Sequence, residues 1–177
     1  MNIVLIGYRG AGKSEVAQLL AKSLKMKSLG MDNEIVEKAG LSIPEIVEKY
    51  GWGRFRDMES EVTLQLSQLD NIIIDTGGGV IERSENVETL RKNALIFWLQ
   101  ASVDTIVARI ESGTERPALT EEKSFTEEVT EVLAQRSPKY AEAAHYKIST
   151  DDKAPAHVVA EVVKIWEKIS TCGVGQG

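Results

Sequence analysis

Short aliphatic runs alternate along the chain with longer segments in which apolar residues recur at helical spacing. The runs are apolar at consecutive positions, which is typical of strands whose two faces are both buried in a parallel sheet. The longer segments place apolar residues three or four positions apart, which favours helices with one buried side. The aliphatic runs predict five strands, at residues 2–6, 27–29, 71–75, 94–99 and 146–149.

This alternation predicts a three-layer α/β fold, with a central five-stranded parallel sheet between helices on both faces. Ser42 and Ser84 are predicted N-caps, because a hydroxyl at the start of a helix can accept a hydrogen bond from a free backbone N–H. Gly40 and Gly51 are expected to adopt positive φ after a helix. The helical segments are predicted at about 13–24, 33–38, 43–49, 55–69, 84–91, 103–111, 126–143 and 156–169.

The 177 residues, 42% of them hydrophobic, are enough for one domain with its own core, which we expect to span residues 1–170. Residues 112–124 form the one long polar connection, and a loop of this length inside a domain is typical of a mobile functional lid. Residues 171–177 are expected to form a flexible tail.

Charge and composition argue against several classes of function. The formal net charge of -6 disfavours a nucleic-acid partner, because such proteins neutralise phosphates with surplus Lys and Arg. No apolar run approaches the ~20 residues of a membrane span, and the N-terminus lacks the basic start of an export signal. The single cysteine, Cys172, has no partner for a disulfide. We therefore expect a cytoplasmic protein without membrane or nucleic-acid partners.

Residues 7–14 read GYRGAGKS and match GxxxxGK[ST], the phosphate-binding loop (P-loop), between a predicted strand and a predicted helix. Its glycines let successive backbone N–H groups point at a phosphate, and the helix N-terminus adds its positive dipole end. Lys13 is expected to reach the β- and γ-phosphates, and Ser14 to ligate Mg²⁺. The nucleotide contacts predicted for this loop are Gly10, Ala11, Gly12, Lys13, Ser14 and Glu15.

The P-loop indicates a nucleoside triphosphate but does not specify the reaction. The NKxD guanine motif of switch GTPases does not occur in the sequence, so a small kinase is the more economical interpretation. Phosphoryl transfer then requires a carboxylate near Mg²⁺, cations for the developing charge, a base and an acceptor pocket. The candidates follow in chain order: Asp32, GWGRFRDME (51–59), TGGG (76–79), Arg116 with Pro117, and Arg136 with Tyr140.

These segments resemble the shikimate kinase family in their order and spacing. The P-loop and an acidic residue after the second strand are followed by G-x-SI-x-EI at 40–46, FRxxE at 55–59, TGGG, RPxL at 116–119 and RxxxY at 136–140. The resemblance covers roughly residues 2–170. A glycine triplet alone is weak evidence, whereas the ordered set is specific.

The resemblance implies transfer of the ATP γ-phosphate to the 3-hydroxyl of shikimate, giving shikimate 3-phosphate and ADP in aromatic amino acid biosynthesis. It also implies a nucleoside-monophosphate-kinase-like fold, Mg²⁺ as the cofactor, and a monomer whose substrate-binding region lies at about residues 32–60. Shikimate carries one carboxylate and vicinal hydroxyls, so its site needs fixed guanidinium groups and an accepting carboxylate.

The family pattern assigns roles to individual residues of this chain. Arg56 and Arg136 match the arginines for the shikimate carboxylate, and Asp32 matches the aspartate that binds the hydroxyls and is the candidate base. Glu59 is expected to orient Arg56. The backbone closest to the substrate is expected from Gly77, Gly78 and Gly79.

Two further arginines match family residues on the nucleotide side. Arg116 matches the lid arginine that stabilises the transferring charge, so it completes the predicted catalytic set with Lys13 and Asp32. Arg109 matches a residue that packs on adenine. Closure of the lid is expected to exclude water from the site.

One departure from the family pattern concerns the metal. The second strand usually ends in D-x-D, and here Gly30 takes the first position and Asp32 the second. Asp75, which ends the strand NIIID, and Glu34 are the two available replacements, of which we favour Asp75. The hypothesis is that Asp75 holds a Mg²⁺-bound water while Ser14 ligates the ion directly.

Two alternative functions stay open at this point. A related small-molecule kinase of the same fold, such as a gluconate kinase or a nucleoside-monophosphate kinase, could use similar groups. The alternative from another class is an inactive nucleotide-binding relative, which Gly30 motivates. Nucleotide binding without ADP production would identify such a protein.

Overall fold

The computed structural model describes residues 1–112 and 124–172. The predicted lid at 112–124, which includes Arg116, and the predicted tail at 171–177 therefore fall almost entirely outside the described residues. Within the described ranges the chain forms a five-stranded sheet. Its strands are β1 (Asn2–Ile6), β2 (Lys27–Gly30), β3 (Ile72–Asp75), β4 (Ala94–Gln100) and β5 (Tyr146–Ser149).

The five predicted strands are confirmed, with small differences at their ends: β2 continues through Gly30, and β4 through Gln100. All neighbouring strands are parallel, in the order β2-β3-β1-β4-β5. The register pairs Asp75 with Leu5 on one side and with Gly30 on the other. The carboxyl ends of β1, β2 and β3 therefore meet at one edge, which is where open parallel sheets bind their ligands.

Seven α-helices and one short 3-10 helix (Val80–Glu82) accompany the strands within the described residues, and the last α-helix follows β5. The α-helices are α1 (Lys13–Leu24), α2 (Met31–Ala39), α3 (Ile43–Ser67), α4 (Ser84–Arg91), α5 (Val103–Ser112), α6 (Phe125–Ala143) and α7 (Pro155–Cys172). The helices predicted at 43–49 and 55–69 form the single element α3, which bends at Gly51, where φ is 80°. The positive φ expected at Gly40 and Gly51 is confirmed. Helix α2 starts two residues earlier than predicted, so Asp32 lies in its first turn.

The two faces of the sheet build separate cores, because side chains alternate along each strand. On one face, Val4 and Ile6 of β1 pack with apolar residues of α2, α3 and α4 and with Tyr140 of α6. On the other face, Ile3 and Leu5 pack with α1 and α7. The predicted fold class, a parallel sheet with helices on both faces, is confirmed.

Helix α3 begins with a complete capping box. The hydroxyl of Ser42 accepts a hydrogen bond from the N–H of Glu45, and the Glu45 carboxylate accepts one from the N–H of Ser42 at 2.7 Å. Ser42 is therefore confirmed as an N-cap. The prediction for Ser84 is wrong: the N-cap of α4 is Arg83, whose backbone is extended and whose side chain makes no capping hydrogen bond. Ser84 is already the first helical residue, one position too late to cap.

Replacing Ser42 by alanine removes the capping box. We expect Ser42→Ala to lower the free energy of unfolding by ~1 kcal/mol, which is typical for the loss of an N-cap hydroxyl. Ser84→Ala is the matched control, because it deletes a hydroxyl at a helix start that is not an N-cap, and it should change this free energy by less than ~0.5 kcal/mol. Urea denaturation measures both variants, and equal losses would contradict the assignment.

Candidate active site

The P-loop joins β1 to α1 at the carboxyl edge of the sheet. Gly7, Gly10 and Gly12 have φ values of 145°, 78° and 90°, in a conformation that residues with a Cβ rarely adopt. At Gly7, a Cβ would also come within 2.4 Å of the carbonyl oxygen of Leu99 in β4. The loop therefore has the curl that its glycines predict, and its first position has no space for any other residue.

Lys13, the first residue of α1, folds back over the P-loop. Its ammonium donates to the carbonyls of Gly7 at 2.9 Å and of Tyr8 at 3.2 Å, and only 8% of the residue is exposed. Burial lowers the pKa of Lys13, and the neighbouring carboxylates of Asp75 and Asp32 act in the opposite direction. The ammonium is thus fixed within the loop, close enough to both carboxylates to feel their charge.

Ser14 and Asp75 meet where α1 begins and β3 ends. Ser14 Oγ donates to Asp75 Oδ2 at 2.6 Å. Burial raises the pKa of Asp75, while Lys13 and the Ser14 hydroxyl act in the opposite direction. The structure therefore brings the two predicted metal ligands together as adjacent oxygen donors.

The donors around Asp75 fit Mg²⁺ chemistry. In the part of the chain that the structure describes, no group of three or more His, Cys, Asp or Glu side chains could hold a metal ion. Mg²⁺ does not need such a cage, because it usually keeps several waters and binds one or two carboxylates together with substrate phosphates. Gly30 supplies no ligand beside Asp75, and the space next to it is partly filled by Asn33, whose Nδ2 would lie 3.3 Å from a Cβ at Gly30.

Asp32 and Glu59 close around the backbone of Gly77. A Cβ at Gly77 would lie 3.0 Å from Asp32 Oδ1 and 3.2 Å from Glu59 Oε1. Asp32 comes from the first turn of α2, whereas Glu59 comes from α3 beyond its bend and is 1% exposed. Burial raises the pKa of Glu59, and the charge of Arg56 is the main opposing influence. Asp32, the predicted base, therefore lies close to the buried carboxylate of Glu59 at the start of the glycine triplet, Gly77–Gly79.

Arg56 is held between Glu59 and the glycine triplet. Its Nη1 donates to Glu59 Oε2 at 2.7 Å, which is the predicted pairing. The guanidinium lies against Gly79, where a Cβ would come within 2.2 Å of Nη1. The guanidinium carbon also lies 5.7 Å from the ring centre of Trp52, a residue that is 53% exposed. Arg56 can occupy this position only because residue 79 has no side chain.

Arg136 approaches the same backbone from α6. Its Nε donates to Glu82 Oε1 at 2.7 Å, and its positive charge is close enough to influence Glu59. Tyr140, one turn further along α6, is buried and donates its hydroxyl to the carbonyl of Gly78. Helix α6 is therefore tied directly to the glycine triplet, and Arg136 lies in the same charged group as Arg56 and Glu59.

Arg109 of α5 lies at the outer edge of the P-loop. Its guanidinium donates to the carbonyl of Gly10 at 3.2 Å, to the hydroxyl of Thr150 at 3.1 Å and to the Thr150 carbonyl at 2.9 Å. Its Nη1 lies 3.9 Å from the place where Gly12 would carry a Cβ. These contacts fix the guanidinium beside the nucleotide loop, and its packing on adenine stays a prediction.

An open cleft of about 640 Å³ connects the P-loop with the glycine triplet. Glu34 does not line this cleft, so Asp75 is the better placed of the two metal candidates. Arg56 and Arg136 do not line it either, but Arg56 pairs with Glu59, which lies beside Gly77 in the wall of the cleft. The predicted site residues that line the cleft are Gly10, Gly12, Lys13, Ser14, Glu15, Asp32, Asp75, Gly77 and Gly78.

Sequence reasoning missed several residues of this region, among them Arg9, Asn33 and Glu82. Asn33 lines the cleft, and its position in the first turn after a strand is a signal that could have found it. Glu82 pairs with Arg136 across 54 positions of the chain. No local pattern indicates a pairing of that range.

Comparison with known proteins connects this geometry with a family. A family model described as "Shikimate kinase" matches residues 9–167. The shikimate kinase of Thermodesulfovibrio yellowstonii is 41% identical to this chain over 170 residues, which are 96% of each protein. The chain belongs to the shikimate kinase family.

Solved structures of shikimate kinases agree with this assignment. The shikimate kinase from Acinetobacter baumannii in complex with shikimate matches with a TM-score of 0.88 at 33% identity, over 94% of this chain and 93% of that one. The shikimate kinase from Aquifex aeolicus matches with a TM-score of 0.80 at 31% identity, over 97% and 99% of the two chains. The family resemblance inferred from the ordered motifs is confirmed.

A methyl group at position 79 overlaps the guanidinium of Arg56. We expect Gly79→Ala to fold normally and to bind shikimate about tenfold more weakly or worse, because Arg56 must leave its place. Gly53→Ala is the matched control: a Cβ at Gly53 meets no atom within 4 Å, so its affinity should stay unchanged. Isothermal titration calorimetry with shikimate measures both variants, and an unaltered affinity in Gly79→Ala would contradict the role given to this contact.

Proposed function

We propose that this chain transfers the γ-phosphoryl group of ATP to the 3-hydroxyl of shikimate, with shikimate 3-phosphate and ADP as products. The observation that carries the proposal is the meeting of two sets of groups at the glycine triplet, Gly77–Gly79. On one side lies a P-loop with its buried Lys13, and on the other lie Asp32, Glu59 and Arg56. The relative from Acinetobacter baumannii, solved in complex with shikimate, supports the choice of acceptor.

On the nucleotide side, the P-loop provides the phosphate site. Its backbone N–H groups and the N-terminus of α1 bind the phosphates of ATP, and the Lys13 ammonium neutralises charge on the group being transferred. The bonds from Lys13 to the carbonyls of Gly7 and Tyr8 keep the ammonium in place before the nucleotide arrives. Arg109 is proposed for adenine, and Arg116 for the transferring phosphoryl group as part of the predicted lid.

On the acceptor side, charge complementarity orients the substrate. Arg56 and Arg136 bind the shikimate carboxylate, because guanidinium groups match a carboxylate in both charge and geometry. Asp32 accepts the proton of the 3-hydroxyl. The hydroxyl oxygen bonds to the γ-phosphorus of ATP, and the bond from that phosphorus to the oxygen of ADP breaks. The backbone of Gly77–Gly79 forms the floor beneath the substrate, since it carries no side chain.

Mg²⁺ is the cofactor that this reaction implies. When bound, the ion neutralises charge that develops on the β- and γ-phosphates. The protein oxygens proposed to hold it are those of Ser14 and Asp75, and their mutual hydrogen bond of 2.6 Å supports a shared task. Asp75 then supplies the carboxylate that position 30 does not.

Shikimate-dependent release of ADP is the decisive test of the proposed reaction. With ATP and Mg²⁺, the purified protein should produce ADP with shikimate and at most a background rate with gluconate, with nucleoside monophosphates or without an acceptor. A coupled assay for ADP measures the rates. Turnover with gluconate or a nucleoside monophosphate instead would identify a related kinase, and nucleotide binding without any stimulated turnover would identify an inactive relative.

Asp75→Asn should weaken the binding of Mg²⁺, because the amide keeps the shape of the side chain but removes its charge. We expect the Mg²⁺ concentration at half-maximal effect to rise by about tenfold, roughly the loss of one charged hydrogen bond from Asp75 to a Mg²⁺-bound water. Titration calorimetry of Mg²⁺ into the protein with a non-hydrolysable ATP analogue gives this value independently of turnover.

Glu34→Gln is the control for Asp75→Asn, because Glu34 is the other acidic residue proposed from the sequence and it does not line the cleft. Its Mg²⁺ dependence should match that of the unmodified protein. A loss in Glu34→Gln with none in Asp75→Asn would transfer the metal assignment to Glu34.

The location and the oligomeric state of the protein stay predictions. None of the described helices is long and apolar enough to cross a membrane. We propose a cytoplasmic monomer, in line with a P-loop and described acceptor groups that all come from one chain.

A further inference from the structure

Glu82 ends the 3-10 helix that directly follows the glycine triplet. Its two carboxylate oxygens bind different cations of α6: Oε1 accepts from Nε of Arg136 at 2.7 Å, and Oε2 accepts from Nζ of Lys139. Arg136 and Lys139 lie one turn apart on the helix and therefore on the same face. One carboxylate thus bridges two cations that would otherwise repel each other.

Glu82 accepts its hydrogen bond from Nε of Arg136 and not from either of the two terminal nitrogens of the guanidinium. Arginine has five N–H donors in a rigid fork, and Nε carries one of them. Burial raises the pKa of Tyr140, and the charge of the nearby Arg136 acts in the opposite direction; the Tyr140 hydroxyl donates to the carbonyl of Gly78. With Nε bound to Glu82, the orientation of the fork is set before any ligand arrives.

The surroundings of Glu82 favour the ionised form of its carboxylate. Only 29% of its side chain is exposed, and 22% of that of Arg136. Burial acts to raise the pKa of Glu82, but the hydrogen bonds from Lys139 and Arg136 outweigh it and hold the pKa below its usual value. The carboxylate is therefore ionised at neutral pH, and its two ion pairs are formed in the absence of substrate.

We propose that Glu82 is a positioning residue that holds Arg136 in the orientation that receives the carboxylate of the substrate. The inference rests on the proposed function, in which Arg136 binds that carboxylate. Without Glu82, the long side chain of Arg136 regains rotamer freedom, and the binding of substrate has to restrict it again.

Glu82→Gln tests the proposal, since it keeps the size of the side chain and removes its charge. We expect the dissociation constant for shikimate to rise by about threefold to tenfold, as for the loss of one charged hydrogen bond at a partly exposed site. The affinity for ATP and the turnover at saturating shikimate should stay within about twofold, because the P-loop is untouched. Calorimetry measures both affinities, and a coupled assay gives the KM and kcat values.

Glu142→Gln is the matched control for the change of charge. Glu142 lies on α6 beyond Tyr140, on the same helix as Arg136, and its replacement removes the same charge as Glu82→Gln while the pair of Glu82 with Arg136 stays in place. Its affinity for shikimate should stay unchanged. An equal weakening in Glu142→Gln would mean that the net charge of this surface, and not the contact with Arg136, is responsible, and tighter binding of shikimate by Glu82→Gln would mean that Glu82 competes with the substrate.

A double-mutant cycle separates positioning from a merely structural role. In an Arg136→Ala background, Glu82→Gln should cause no further loss of shikimate affinity, because its only route to the substrate is gone. A loss of full size in that background would overturn the proposal, as would a normal effect of Arg136→Ala together with no effect of Glu82→Gln. If Arg136→Ala itself leaves shikimate affinity unchanged, the proposed role of Arg136 fails first, so the two failures are distinguishable.

Discussion

The common direction of the strands determines where every group of the active site can lie. Because β1, β2 and β3 are parallel neighbours, they end at one edge, and the register sets Asp75 between Leu5 and Gly30. The P-loop leaves β1 at this edge, α2 with Asp32 leaves β2, and the glycine triplet follows β3. An antiparallel strand among the three would carry one of these groups to the opposite edge. Short connections therefore suffice to assemble both sides of the site.

The glycine triplet lets several elements approach one stretch of backbone. Gly77 has carboxylates of α2 and α3 beside it, Gly78 accepts a hydrogen bond from Tyr140 of α6, and Gly79 contacts the guanidinium of Arg56. Each of these contacts uses space that a side chain would fill. The acceptor side is therefore organised around the backbone of the triplet, and the charged side chains surround it. The ion pair of Arg56 with the buried Glu59 stiffens this arrangement from the α3 side.

Local signals account for what the sequence could predict. The strands, the P-loop and the pairing of Arg56 with Glu59 each depend on residues close together in the chain, and all are present in the structure. The contact of Glu82 with Arg136 was not predictable, because only the folded sheet brings α6 to the 3-10 helix. Ser84 was misassigned since a hydroxyl at a helix start looks the same in sequence whether it caps or follows the cap. That distinction depends on the extended backbone of Arg83, which the amino-acid sequence alone does not show.

The overlap of the Arg56 guanidinium with the space above Gly79 also restricts how this protein can change over generations. A larger residue at position 79 displaces the guanidinium of Arg56, whereas a smaller residue at position 56 first would leave position 79 without this overlap. The two positions therefore form one evolutionary unit with a preferred order of substitution. A lineage that acquires a different acceptor, or a laboratory that selects one, keeps the contact partners of this site only if position 56 changes before position 79.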